Sequence, residues 1–168
     1  HGGIGDLQRK ILITPLEPEA TFKDDPLRIL RGVRFSSQLN FTLASNVQDA
    51  MISQKKHLDF ISKERITQEV IKILKTPKPS IGLNLLREIN LYPYVFPEMD
   101  ELGGVEVIDG QSHKDVFYHT LEVVDNASKL TSKMRIRFAA LVHDIAKPRT
   151  KRFDKQKGWT YYGHEEVG

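Results

Sequence analysis

Asp25, Arg28, Arg31 and Arg34 recur at intervals of three residues. On a helix each such step drifts back by only about 60°, so the four groups form a band along one side. An arginine presents a planar fork of donors that can pair two-pronged with a phosphate or a base edge, and a carboxylate accepts from an exocyclic amine. Asp25 and Arg28, one turn apart, could therefore read a nucleobase edge while Arg31 and Arg34 face a triphosphate. A carboxylate that merely caps the helix, with arginines in surface ion pairs, is the plainer alternative. A second group of candidates lies in the last third. His119 shares a face with Val116, Thr120 and Val123, His143 adjoins Asp144 near the end of an apolar run, and His164 follows Gly163. Taken singly, each is as well explained as a histidine satisfied within a core.

The elements that must position these residues are helical. Residues Gly2 to Phe22 read as glycine-rich and then extended, with Ile11-Leu12-Ile13 as a strand candidate and Pro15 and Pro18 stopping any helix. Asp24-Asp25-Pro26 opens a helix carrying Leu27, Leu30 and Val33 to about Leu39. Further helices are expected over Ala44 to Gln54, Ser62 to Lys75, Ser80 to Asn90, His113 to Leu130 and Ser132 to Ala146, the last ended by Pro148. Gly103, Gly104 and Gly110 mark a boundary in a short loop or β-like connection, so two helical subdomains are expected.

Composition narrows the classes. The 168 residues are 39% hydrophobic and 28% charged, as in a soluble globular chain. With no cysteine, disulfides, thiolate zinc sites and cysteine nucleophiles are excluded together. No apolar run approaches the roughly 20 residues of a membrane span, so no membrane partner and a cytoplasmic location are expected. Net charge is +3, but between Gly110 and Thr160 eleven basic residues face five acidic ones, which suits a polyanion.

The run from Asp24 to Phe35, followed by Gln38-Leu39-Asn40-Phe41, resembles the neck helix of class II CCA-adding tRNA nucleotidyltransferases and their poly(A) polymerase relatives. Gly2-Gly3 with Asp6-Leu7 resembles the end of that family's flexible loop, Ser62-Lys63-Glu64-Arg65 its Ser-x-Glu-Arg helix start, and Leu91 to Glu98 also has the family's look. The resemblance implies that Asp25 and Arg28 template CTP or ATP through the Watson–Crick edge, and that Arg31 and Arg34 help hold the nucleotide. It implies a parent reaction that transfers CMP or AMP from CTP or ATP to the 3′ end of tRNA or another RNA, with Mg²⁺ held by carboxylates of a head domain. That head lies upstream of the flexible loop. Since His1-Gly2-Gly3 is no natural start, the chain is expected to be a piece of a longer protein, inactive alone in nucleotide addition.

Downstream, Asp115 to Leu121, Ala139 to Pro148 and Gly163-His164-Glu165 resemble the first three stations of an HD-domain metal phosphohydrolase. That resemblance implies a metal site from His119, His143, Asp144 and His164, whose nitrogen and oxygen donors suit Mg²⁺, Mn²⁺, Ni²⁺ or Fe. The last aspartate of the pattern falls after Gly168. His113, Lys114 and Asp115 are at most an outer layer of such a site. The expected architecture is all-α. Residues 1–22 end the flexible loop and link to the neck, 23–102 form a helical neck and body with the templating helix at 25–39, and 103–168 hold a linker and a truncated HD domain. An HD phosphohydrolase with an accessory helical domain is the alternative function. If the basic surplus after Gly110 docks RNA, each phosphate contact releases condensed counterions, and RNA affinity falls steeply between low and physiological salt. A flat salt response in a binding titration would return that run to a solvated face.

Overall fold

The computed structural model describes residues 2–113 and 115–168; His1 and Lys114, the latter counted above among the basic residues, lie outside them. Helix α1 (Gly3–Arg9) ends at Lys10, whose φ of 56° turns the chain into strand β1 (Ile11–Leu12). Helix α2 (Pro18–Asp24) and helix α3 (Leu27–Leu39) follow, then strand β2 (Thr42–Leu43), which pairs in parallel with β1. Helix α4 (Ser45–Gln54) leads through a 3-10 turn (Lys55–Phe60) to α5 (Lys63–Leu74) and α6 (Pro79–Glu88). Two short helices, α7 (Tyr92–Val95) and α8 (Pro97–Asp100), precede an antiparallel hairpin of β3 (Val107–Ile108) and β4 (Gln111–Ser112). The last third holds α9 (Val116–Leu130), α10 (Met134–Val142), α11 (Lys147–Thr150), a hairpin of β5 (Arg152–Asp154) and β6 (Gly158–Thr160), and α12 (His164–Val167).

The fold is mostly helical, as expected, but not wholly so, and α1, α2, α7, α8 and α11 form where no helix was expected. Pro18 does not stop a helix; it stands in the first turn of α2, where its missing N–H would have had no partner in any case. Pro79 and Pro148 stand likewise at the starts of α6 and α11. The helix expected to run to Ala146 stops at Val142, and residues 143–146 form a tight turn carried by i→i+3 bonds such as Lys147 N–H to the Asp144 carbonyl. Helix α9 begins at Val116 rather than His113 because Asp115 caps it, its carboxylate accepting from Phe117 N at 2.9 Å and Tyr118 N at 3.3 Å.

Helix α3 lies at the centre. Its Ile29, Leu30 and Val33 are fully buried and pack with Ile66, Ile73 and Leu74 of α5 and Leu83 and Leu86 of α6. Gly82 lets α6 come this close, since a Cβ there would lie 2.7 Å from Ile73 Cγ2 and 3.1 Å from Ser37 Cβ. The apolar core does not divide at the glycine cluster: Leu102, Phe117, Leu121, Val124 and Leu141 continue it into α9 and α10. Polar ties cross the same junction. Asp125 of α9 accepts from Ser80 N at 2.9 Å and Ser80 Oγ at 2.7 Å.

Arg137 makes the strongest of these ties and is removed from the basic surface. It donates to the carbonyls of Leu74 (2.7 Å), Thr76 (3.1 Å), Ser128 (2.9 Å) and Thr131 (2.8 Å). Arg137→Met keeps the apolar stem but strands four carbonyls around a site that is 7% exposed. The expected cost is about 3 to 5 kcal/mol of unfolding free energy, read from urea denaturation of the two proteins.

Candidate functional site

The start of α3 is fixed by both chain segments that meet there. Asp25 follows the end of α2, and its Oδ1 accepts from Leu27 N at 3.3 Å. The Asp25 carboxylate also lies 4.0 Å from Arg28 Nε and 3.8 Å from Arg65 of α5. Arg28 is held more tightly by Asp24, at 2.9 Å, and donates to the Thr21 carbonyl at 3.2 Å. Arg28 and Arg31 border a cavity of about 220 Å³ whose apolar wall includes Ile13, Pro15, Phe22, Phe35 and Met51.

The single band expected of Asp25, Arg28, Arg31 and Arg34 does not extend to its last member. Six residues separate Arg34 from Arg28, and the accumulated drift of about 120° carries it round to α5. There its Nε donates to Glu69 Oε2 at 2.9 Å, its Nη1 donates to Gln38 at 3.3 Å, and its guanidinium lies 4.2 Å from the Phe35 ring centroid. Glu69 is almost wholly buried and also takes Lys72 at 2.8 Å. Its part in orienting Arg34 was not visible in the sequence because the two residues are 35 positions apart.

The second group converges. Ligand atoms of His119, His143 and Asp144 all lie within 4.8 Å of one another. Asp144 Oδ2 is 3.2 Å from His143 Nε2 and 3.9 Å from His119 Nε2, and Oδ1 is 3.7 Å from His164 Nε2. Atoms sharing one ion at about 2.0 to 2.2 Å stand roughly 3 to 4 Å apart, so the spacing fits. His143 and Asp144 lie in the turn after α10 rather than within it.

Two second contacts prepare the imidazoles as ligands. His143 Nδ1 is 2.8 Å from the Ala140 carbonyl and His164 Nδ1 is 2.8 Å from that of Tyr161. A proton on each Nδ1 leaves each Nε2 with its lone pair toward Asp144. Asp144 itself is 3% exposed. Lys147 Nζ comes within 2.7 Å of Oδ2, but outside hydrogen-bond geometry, and among the described residues Oδ2 has no hydrogen-bond donor. A buried carboxylate oxygen short of a donor, faced by imidazole nitrogens, is a donor set that accommodates a divalent cation.

The cluster opens onto a cavity of about 390 Å³ bordered by His113, Val116, His119, Asp144, Lys147, Trp159 and Tyr161. The β5–β6 hairpin that carries Trp159 was not expected from the sequence. Phe153 on one side of a polar stretch ending in Gly158, and Trp159 and Tyr161 on the other, are the signal that could have found it. Burial, with the carboxylates of Glu106 and Asp144 adding to it, raises the Tyr161 hydroxyl above its ordinary pKa, while the hydrogen bond from Lys151 holds Glu106 below the ordinary carboxylate value.

Residues 40–102 match the family described as the probable RNA and SrmB-binding site of polymerase A, and residues 116–168 match the HD domain. The chain is 36% identical over 172 residues to the multifunctional CCA protein of Shewanella frigidimarina, spanning 99% of this chain and 40% of that protein. It is 34% identical over 174 residues to the CC-adding tRNA nucleotidyltransferase of Thermus thermophilus, spanning 97% and 39%. Among solved structures, the Bacillus stearothermophilus CCA-adding enzyme in complex with CTP aligns with a TM-score of 0.57 and 36% identity over 61% of this chain and 27% of its own. An apo CCA-adding enzyme aligns over 92% of this chain and 34% of its own at a TM-score of 0.62 and 20% identity, which is a likeness of fold. The chain thus spans about two fifths of the length of the curated relatives it matches. Across that span the polymerase A RNA-binding region is followed by HD-domain sequence, and the chain is similar throughout to proteins named for CCA or CC addition.

Proposed function

We propose that this chain supplies the nucleotide-selecting neck and body of a cytoplasmic enzyme that transfers CMP or AMP from CTP or ATP to an RNA 3′ end. Within it, 1–22 would link to a catalytic head, 23–102 form the neck and body, and 103–168 begin the HD region. The observation that carries the reading is the start of α3, where Arg28 and Arg31 border one cavity and Asp25 lies beside Arg28. Asp25 and Arg28 match the edge of cytosine or adenine by supplying an acceptor and a donor fork, and Arg31 faces the phosphates. Arg34, held by Glu69, adds positive potential from the side. Mg²⁺ bound by carboxylates of a head domain would supply the charge neutralisation of phosphoryl transfer, so the chain alone adds no nucleotide.

A chimera carrying residues 2–168 in the matching position of the Shewanella frigidimarina relative provides the test. Arg28→Ala in that chimera is expected to relax the preference for CTP and ATP over UTP and GTP by about tenfold to a hundredfold, the worth of a lost two-pronged base contact. Incorporation of all four nucleotides into tRNA is the measurement. Unchanged ratios would reduce Asp25 and Arg28 to supports of the helix start.

The cluster around Asp144 favours a second activity in the same protein, a metal-dependent phosphoester hydrolase of the HD type. His119, His143 and Asp144 would hold the metal, with His164 at its edge, and a bound Mg²⁺, Mn²⁺, Ni²⁺ or Fe would polarise a phosphoryl oxygen. Mn²⁺ titrated calorimetrically into the chain is expected to bind at one site, and Asp144→Asn to weaken it at least about tenfold, as loss of an anionic ligand does. Equal binding by the variant, with His57→Asn as a remote control, would reduce the cluster to an ion pair between Asp144 and Lys147.

A further inference from the structure

Resting on the reading that this chain acts on RNA, we propose that the outer face of the β5–β6 hairpin, with α11 beside it, binds an unpaired stretch of RNA. One base lies on Tyr162 and the flanking phosphates meet Arg152, Lys155 and Lys157. The surface is separate from the cavity at α3 and uses none of the residues clustered around Asp144.

The hairpin has two faces. With Arg152 opposite Thr160 and Phe153 opposite Trp159, successive residues point to opposite sides. Phe153 and Trp159 meet edge-on at 5.3 Å between centroids, and Trp159 Nε1 donates to the Gln111 carbonyl at 3.0 Å, so their side is committed to packing. The other side carries Arg152 and Thr160. Tyr162 and Arg149 of α11 extend it, and the four border a cavity of about 440 Å³. Because the inner face is pinned, the outer one is presented on a fixed support.

Charge on this part of the chain is unbalanced. Residues 147–163 hold six basic side chains and a single acidic one, Asp154, whose carboxylate accepts from Gln156 N at 2.8 Å and Lys157 N at 2.9 Å. Lys147 is taken by Asp144, Arg149 by Glu101 at 3.4 Å and Lys151 by Glu106 at 2.6 Å. Arg152, Lys155 and Lys157 are exposed and form no ion pair among the described residues. Such a surface attracts a polyanion.

The aromatic ring narrows the choice of polyanion. Tyr162 is 75% exposed, and Lys157 Nζ lies 5.8 Å from its ring centroid. Solubility accounts for exposed cations but not for an exposed ring. An acidic peptide would satisfy the cations and offer the ring no flat partner. An unpaired RNA strand supplies both, phosphates for the cations and a base face for the tyrosine. In a duplex the base faces are already stacked on one another.

The chain is titrated into a labelled RNA of mixed sequence, either single-stranded or annealed to its complement, and fluorescence anisotropy is followed over a series of salt concentrations. The single strand is expected to bind at least about fivefold more tightly than the duplex, and Tyr162→Leu to weaken it about fivefold to a hundredfold, the range for a lost base-stacking contact. Tyr162→Phe, which keeps the ring, is expected to retain the binding. Inorganic polyphosphate, added as a competitor, is expected to bind Tyr162→Leu as well as it binds the parent chain. Combining Arg152→Gln, Lys155→Gln and Lys157→Gln is expected to flatten the slope of log affinity against log salt by about two, at roughly 0.7 for each phosphate contact of a single strand. Lys129→Gln with Lys133→Gln, from the same basic surplus but beyond this surface, should leave the slope as it is. Equal affinity for single strand and duplex, polyphosphate binding as tight as the single strand, no effect of Tyr162→Leu, or an unchanged slope in the combined variant would overturn the proposal. Arg28→Ala with Arg31→Ala separates the two failures. RNA binding that depends on those arginines and not on the hairpin removes the hairpin's role alone, and no binding of either RNA at the lowest salt removes the RNA reading of this chain with it.

Discussion

One buried guanidinium joins the two halves of this chain. Arg137 projects from α10 into the junction of α5, α9 and α10 and closes carbonyls left open at the end of α5 and at the turn after α9. Carbonyls at helix ends must find donors, and here water is excluded, so one planar fork with several donors does what separate side chains would otherwise do. The position of α10 against α5 follows from that, and with it the placement of the turn at residues 143–146. The histidine and aspartate cluster is therefore built on the same frame that buries α3. A change at the α5 end reaches both candidate sites through packed structure.

Helix α3 must serve as core and as surface along one short length. Ile29, Leu30 and Val33 commit one side to burial. The arginines occupy what remains, and three-residue spacing cannot keep them all on one line. Arg28 and Arg31 stay on the cavity side; Arg34 turns toward α5, where a partly buried cation requires an anion. Glu69 meets that need, and Lys72 balances the carboxylate in turn. The resulting bond between α3 and α5 fixes the rotation of α3 about its axis, and so the direction in which Arg28 and Arg31 point.

Much of this was legible in local pattern. Leu27, Leu30 and Val33 placed α3, and the spacing of Ile66, Val70, Ile73 and Leu74 placed α5, because an amphipathic stripe is a property of a few neighbouring residues. His119, His143, Asp144 and His164 stand out in the sequence by their motifs, although no local pattern reveals that they converge. What escaped was non-local or depended on context. Pro15 and Pro18 read as helix stops, although a proline in a first turn is compatible with a helix. The apolar run through Val142 continues as Ile145 and Ala146, with no stop signal at the point where α10 ends. The pairings of Arg34 with Glu69 and of Trp159 with Gln111 join residues 35 and 48 positions apart, which periodicity does not register.

The end of α10 matters more than its length suggests. Beyond Val142 the i→i+4 bonds give way to the tighter i→i+3 bonds of a turn, and in that turn the ligand atoms of His143 and Asp144 lie within 4.8 Å of each other and of His119. The buried Asp144 carboxylate then needs a counter-charge, because an isolated anion away from water is costly. Lys147, one turn further on, stands 2.7 Å from it. A metal bound by the same carboxylate would take over that role and free the ammonium for an incoming anion. Lys147 thus balances the charge of the buried Asp144 carboxylate from one turn along the chain.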